Sequence, residues 1–426
     1  MVGLDDAEGE VVASRWDRDG LVDQADRAFD EVMTGSDWPL RFSRQPDAVV
    51  LSPGVPVTHA GLDAWRRAGV PVHGELEWAA RHCRGRTIGV SGTNGKSTVT
   101  AWLAHVLRRS GQQAHAVGNL GTPFASVAEQ LAPDEVAVVE CSSFQLETVD
   151  TWRPELGVVL NLAPDHLDRH GDVAAYYAAK ARLAAQVADA GWFLTWADCA
   201  EARGWAHRGR RALFGSDEPE ALAWLDAGRL QVRHEGRASP LLPVDELALT
   251  SPPNLLNATA VAAAALLAGC GPEAIADGLR SFTGLAHRHQ LVGRRGAVRF
   301  VNDSKATNVH AVQAGLRGYP RPVVLIAGGS AKGEDFSPLR DVMAAVRHVV
   351  TIGEEGPAIA RALAGVVSTT AAGDLDEAVA LAAELARPDA TVLLSPACAS
   401  FDMFASYRHR GEAFTAAVRD LGVEEV

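Results

Sequence analysis

The stretch GVSGTNGKSTVTAW, residues 89–102, constrains the fold more than any other part of this 426-residue chain. Strict phosphate-loop spacing asks for a glycine five positions before the Gly-Lys pair, and that position holds Val90. The glycine comes later, giving the shorter form Gly92-Thr93-Asn94-Gly95-Lys96-Ser97-Thr98. Gly-Lys-Ser alone is common by chance, and the surroundings give it meaning. An apolar run, RTIGV (86–90), reads as a buried strand entering the loop, and a helix is expected from Lys96 to Arg109, stopping at Gly111. Backbone N–H groups converging at a helix N-terminus favour phosphate. Lys96 can then reach the β- and γ-phosphates of a nucleotide, and the Ser97 hydroxyl can hold Mg²⁺.

The rest of the chain repeats the strand-then-helix alternation of parallel sheets with crossover helices. Buried strands are expected at 136–143 (VAVVECSS) and 157–166 (GVVLNLAPDH), an alanine-rich helix at 172–188, and a buried helix at 251–271. Before Cys83 the pattern is thin: a strand at DAVVLS (47–52), a turn at PGVP, and a helix from about Gly61. After residue 290 a fresh series begins, with strands at 298–303, 322–329, 348–354 and 391–396. Boundaries near 83 and 284 divide the chain into units 1–83, 84–283 and 284–426. The fold class is α/β in three domains: a short N-terminal α/β domain, a central P-loop-type α/β domain and a C-terminal Rossmann-like α/β domain.

A net charge of −13 argues against a nucleic-acid or anionic-membrane binder, so anionic ligands must meet local positive groups. Five scattered cysteines with no CxxC pair fit reduced thiols, and no apolar run reaches the length of a membrane span. With an acidic, non-signal-like start, the expectation is a cytoplasmic protein; a monomer is the working expectation, which no sequence feature carries. Glu140 closes one buried strand; His166 and Asp168 follow the next. Carboxyl ends of strands are where open α/β sheets bind ligands, so Glu140 and His166 are candidate metal-side groups.

GTNGKST, VVECSSFQLE, LNLAPDHLDRHG, YYAAKARL, LAHRHQ, VNDSKATN and LLSPACASFDMF occur in this order from about residue 50 onwards. Together they resemble the ATP-dependent Mur ligases of peptidoglycan synthesis, most closely the branch that adds D-glutamate. That resemblance implies an ADP-forming amide ligase. The L-alanyl carboxylate of UDP-muramyl-L-alanine is phosphorylated by ATP, and the D-glutamate amine attacks the acyl phosphate. It also implies roles. Lys96 and Ser97 would sit at the ATP phosphates and Mg²⁺, with Glu140 a further ligand and His166 at a second metal. Asn119 in GNLG would touch the muramyl substrate, with Ser52 and Gly54 on the uridine side. Asn257, Arg288 and Asp303 would contact nucleotide, and Lys305, Thr307, Lys332, Ser400 and Phe401 would form the D-glutamate pocket. Lys180 would be carbamylated, giving a metal-binding anion.

The sequence departs from the family in three places. No glycine-rich βα loop precedes DAVVLSPGVP, so either UDP is held differently or UDP-muramyl-alanine is expected to bind more weakly than ATP, relative to full-length relatives. Ser330 stands where an acid is common, and Tyr407 where phenylalanine is frequent. Rival readings are another Mur ligase, a folylpolyglutamate synthase-like ligase, or a binding homologue without turnover.

Overall fold

Runs of five or six apolar residues without polar alternation can be satisfied only by strands covered on both faces, which calls for helices on either side of a parallel sheet. A computed structural model of the chain has this arrangement twice. It describes residues 2–5, 31–34 and 45–425, apart from 318, 320, 331 and 332.

Near the start, β1 (Val2–Asp5) pairs in parallel with β2 (Glu31–Thr34), and β3 (Val49–Leu51) with β4 (Val72–Gly74). The expected strand at 47–52 is therefore present but short, and the expected helix near Gly61 is a single 3₁₀ turn followed by Asp63–Arg67. Helix α1 (Glu75–His82) then anchors this region to the rest of the chain. Glu77, fully buried on α1, accepts hydrogen bonds from the Asp150, Thr151 and Trp152 amides and from Arg81. Burial alone would push its pKa up, but those donors outweigh burial and hold it below the ordinary carboxylate value. Glu77→Ala is expected to lower stability by about 2–4 kcal/mol in urea titrations, because it removes the shared acceptor of three amides, of which that of Trp152 is buried. Glu77's contribution is present above the ordinary carboxylate pKa and is lost as pH falls through the lowered folded value. The variant should therefore show a shallower acid loss of stability than the native chain.

The central sheet contains β5 (Arg86–Ser91), β6 (Ala114–Gly118), β7 (Val136–Glu140), β8 (Leu156–Val159), β9 (Trp192–Trp196) and β10 (Arg210–Phe214). All six are parallel, in the order β10-β9-β8-β5-β7-β6. From β5 the chain first moves to one side and later returns to the other, so the carboxyl end of β5 is a topological switch point, the usual ligand position in such sheets. Helix α2 (Lys96–Arg109) leaves that point and packs with α4 (Pro252–Leu267) on one face, while α3 (Val173–Gln186) covers the other. Alanines 258, 260 and 262–265 of α4 are all fully buried, and their small side chains bring this helix close to its neighbours.

Between these elements, β11 (Ala223–Asp226), β12 (Arg229–His234) and β13 (Arg237–Pro243) form an antiparallel meander absent from the sequence reading. The second large sheet has seven strands: β14 (Gln290–Arg295), β15 (Val298–Asn302), β16 (Val323–Gly328), β17 (Val346–Ile352), β18 (Thr369–Ala371), β19 (Thr391–Leu394) and β20 (Glu424–Glu425). Their order is β18-β17-β16-β19-β15-β14-β20, parallel except at the β14 pairings. Helices α5 (Val309–Leu316) and α6 (Tyr407–Asp420) flank it. Among the described residues no helix is long and apolar enough to cross a membrane.

Candidate active site

The carboxyl ends of β5, β7 and β8 meet at the loop that precedes α2, and the loop is tied down by side chains from β8's exit. Asn161 Oδ1 accepts the Asn94 N–H at 2.9 Å, and Asn161 Nδ2 donates to the Asn94 carbonyl at 3.0 Å. The Thr93 hydroxyl donates to the Ala163 carbonyl and accepts from the Ala163 N–H. Gly95 caps α2 with φ 86°, and a Cβ there would lie 2.4 Å from Asn257 Oδ1, so only glycine closes the loop against α4. Ser97 and Thr98 are buried in the first turn.

Two lysines lie under this loop. Lys96 Nζ donates to the Thr93 carbonyl at 2.8 Å, and Lys180 Nζ donates to the Gly92 carbonyl at 2.8 Å. Lys180 is 1% exposed and stands 4.7 Å above the Tyr176 ring. Burial first, then repulsion from Lys96, holds its pKa well below the ordinary lysine value, against the pull of Asp165 and Glu140. Burial likewise lowers Lys96, opposed by Glu140 and Asp165. Glu140 is 2% exposed; its Oε1 accepts from Asn119 Nδ2 at 3.2 Å, while its buried Oε2 has no hydrogen-bond partner among the described residues. An orphaned carboxylate oxygen beside a phosphate-type loop fits a hard divalent cation. His166 is exposed at φ 53°, beside Asp165 and 5.0 Å from the Phe144 ring. Among the described residues no three His, Cys, Asp or Glu side chains form a ready-made metal cluster. Mg²⁺ typically takes one or two carboxylates and completes its shell with water and phosphate oxygens.

Across from the loop stands the C-terminal sheet. Arg288 Nη2 donates to Ser97 Oγ at 2.6 Å, and Asn308 Nδ2 donates to Asp165 Oδ2 at 3.3 Å. Asn94, Gly95, Thr98, Asn254, Asn257, Arg288, His289, Asp303 and Lys305 line a cleft open to solvent. Asp303 accepts from the His289 N–H and the Ser395 hydroxyl. Burial nevertheless pushes its carboxyl up to about 7, against those two donors and Arg288. Between the ordinary carboxylate value, near 4, and about 7 the unfolded chain ionises while the folded one stays protonated, so stability is lost as pH rises across that window. Asp303→Asn removes the effect. Its melting temperature should exceed the native one by a gap that opens from about pH 4 and becomes constant above about pH 7.

Farther along, Lys305 Nζ lies 4.2 Å over the Tyr407 ring, Ser400 is buried and Phe401 is 75% exposed. Thr307 follows in the same loop, its N–H donating to the Lys305 carbonyl. Ser330, at the end of β16, pairs with Ala399, and its hydroxyl accepts the Phe401 N–H at 3.2 Å. Lys332 lies outside the described residues. Ser52 and Gly54 follow β3, where the Gly54 carbonyl accepts from Arg169 at 3.5 Å. The structure thus brings Lys96, Ser97, Glu140, Lys180, Asn257, Arg288 and Asp303 around one loop and cleft, and places Ser52 and Gly54 apart from it.

Two site residues were missed in the sequence. Asn161 sits in LNLAPDH, directly after a buried strand, where an amide can hold both polar atoms of a neighbour. Arg410 is 1% exposed and donates to the Ser304 hydroxyl and to the Ser304, Cys398 and Ala399 carbonyls, so it fixes both loops that carry Lys305 and Ser400. Its signal was an arginine at the head of the buried α6 stripe Arg410, Phe414, Ala417.

Comparison with known proteins agrees with this geometry. A model of the Mur ligase middle domain matches residues 90–265, and one of the Mur ligase glutamate ligase domain matches residues 287–398. The chain is 41% identical over 389 residues to the UDP-N-acetylmuramoylalanine–D-glutamate ligase of Acidobacterium capsulatum, covering 90% of this chain and 84% of that protein. It is 45% identical over 383 residues to the enzyme of the same name from Anaeromyxobacter dehalogenans, covering 86% and 83%. In fold it is similar to the MurF ligase of Thermotoga maritima solved with ADP, with a TM-score of 0.61 at 16% identity over 88% of this chain and 96% of that one. With an anchored phosphate-type loop, a facing C-terminal sheet and relatives matched over most of their length, the chain belongs to the Mur ligase family.

Proposed function

We propose that the chain is an ADP-forming ligase that joins D-glutamate to UDP-N-acetylmuramoyl-L-alanine, working in the cytoplasm as a monomer whose cleft is complete within one chain. The observation that carries this reading is the single cleft in which the Lys96 loop faces Arg288, Asp303 and Lys305. We place the unit boundaries near residues 83 and 284, so that ATP is held by the central unit and D-glutamate mainly by the C-terminal one.

A carboxylate and an ammonium do not condense in water, so the carboxylate must first gain a leaving group. An alanyl carboxylate oxygen attacks the γ-phosphorus of ATP as the bond to ADP breaks. The free amine of D-glutamate then attacks the acyl carbon, and phosphate departs with its C–O bond as the nitrogen loses a proton. Lys96 neutralises charge on the transferring phosphoryl group, the work that limits such reactions. Arg288, now on the Ser97 hydroxyl, would move to the phosphates when nucleotide enters, and Asn257 and Asp303 would hold the nucleoside. Mg²⁺, held by Ser97 and Glu140 with His166 and a carbamylated Lys180 at a second position, would supply charge neutralisation on the phosphates. Asn119, beside Glu140, would orient the muramyl carboxylate, with Ser52 and Gly54 toward the uridine. Lys305, Thr307, Lys332, Ser400 and Phe401 would receive D-glutamate, whose two carboxylates need cations and hydroxyls.

Assaying phosphate release with ATP, the muramyl substrate and each amino acid in turn tests the reading. D-glutamate alone should give turnover; release with a different amino acid would point to another branch, and none with any would leave a binding protein.

A further inference from the structure

Helix α5 crosses the cleft at two points in its first turn. Besides the Asn308–Asp165 bond, His310 Nδ1 lies 2.6 Å from Asn94 Nδ2, so a residue of the C-terminal unit touches the middle of the phosphate-type loop. With the Asn94 amide nitrogen facing the ring, Nδ1 is the acceptor, and the imidazole is neutral with its proton on Nε2. Asn161 already holds both main-chain polar atoms of Asn94, so its side chain is the part of the residue left to reach across the cleft. The charges around His310 are Arg317 on its own helix, Asp165 on the facing loop, and Glu334, which accepts the neighbouring Val309 N–H.

We propose that His310 is a positioning residue that pins the nucleotide loop to the closed C-terminal unit through Asn94, and that it does so only while its ring is neutral. The inference rests on the nucleotide reading of the loop. His310 lines no part of the substrate path described above; it acts through Asn94. Burial, then Arg317, lowers its pKa against Asp165, so the contact is intact at neutral pH. Protonation puts a hydrogen on Nδ1, which then faces a second donor, and the contact is lost as pH falls through the lowered folded value. Acid therefore loosens the closed state, the direction expected of a lowered histidine.

Calorimetric titration with Mg·ADP, which needs no turnover, tests this. At about pH 8, His310→Leu should bind ADP about fivefold more weakly than the native protein, the worth of one ordinary hydrogen bond, with its melting temperature not reduced. His310→Asn places an amide oxygen where Nδ1 stood and should restore the native affinity. As the pH is lowered stepwise from neutrality through the acid range in which both proteins stay folded, the native protein should weaken relative to His310→Asn. Equal ADP affinities for the native protein and His310→Leu would overturn the proposal, as would an equal acid loss in His310→Asn. Absence of ADP binding to the native protein would overturn the nucleotide reading along with it.

Discussion

Lys96→Ala is expected to lower turnover by about three orders of magnitude while leaving the melting temperature essentially unchanged. The loss is large because the ammonium acts on charge that develops as the phosphoryl group transfers, where a fixed donor is worth most. The fold should tolerate the change. The side chain's hydrogen bond in the free protein is to the Thr93 carbonyl, and its buried charge is already disfavoured, as its lowered pKa shows. The loop itself keeps its anchors at Asn161 and Ala163. Steady-state kinetics with a thermal melt on the same sample checks both halves. Near-native turnover in the variant would remove the loop from the chemistry.

Lys180→Ala is expected to abolish activity nearly as completely, and added acetate should restore part of it. A surface lysine on an alanine-rich helix would be the ordinary reading, but the side chain is 1% exposed beneath the loop. Burial and Lys96 favour its neutral form, and a neutral amine is the species that attacks CO₂. The nitrogen forms a bond to carbon, one C=O bond opens to an oxyanion, and a proton is released. A cation with donors alone thereby becomes an anion with two acceptors, suited to a hard metal. Acetate entering the space left by alanine supplies a carboxylate without the tether, so rescue should be partial and specific to short carboxylates. Full activity in unrescued Lys180→Ala would assign the lysine a packing role.

How far the sequence carried this picture differs by region. The start of α2 at Lys96, its end at Arg109 and the central strands were legible because buried parallel strands are continuous apolar runs, and a helix that follows glycines announces itself. The meander β11–β13 was not read, though it carried a signal: Ala227-Gly228 and Glu235-Gly236 have positive φ, the two-residue turns that join antiparallel strands. Short strands with mixed polarity hid it. Glu77, Asn161 and Arg410 act through contacts across long stretches of chain, and a local pattern cannot reveal which amides a buried carboxylate will meet. His310 was hidden likewise: its partner Asn94 lies in another unit, and only the closed cleft joins them.

The most direct measurement follows oxygen. UDP-N-acetylmuramoyl-L-alanine labelled with heavy oxygen in its alanyl carboxylate is incubated with ATP, Mg²⁺ and D-glutamate, and the released phosphate is examined by mass spectrometry. Transfer through an acyl phosphate moves one carboxylate oxygen to each phosphate, alongside a product heavier by one glutamyl residue. Unlabelled phosphate would contradict the acyl-phosphate route, and labelled phosphate with no glutamyl product would contradict the proposed acceptor.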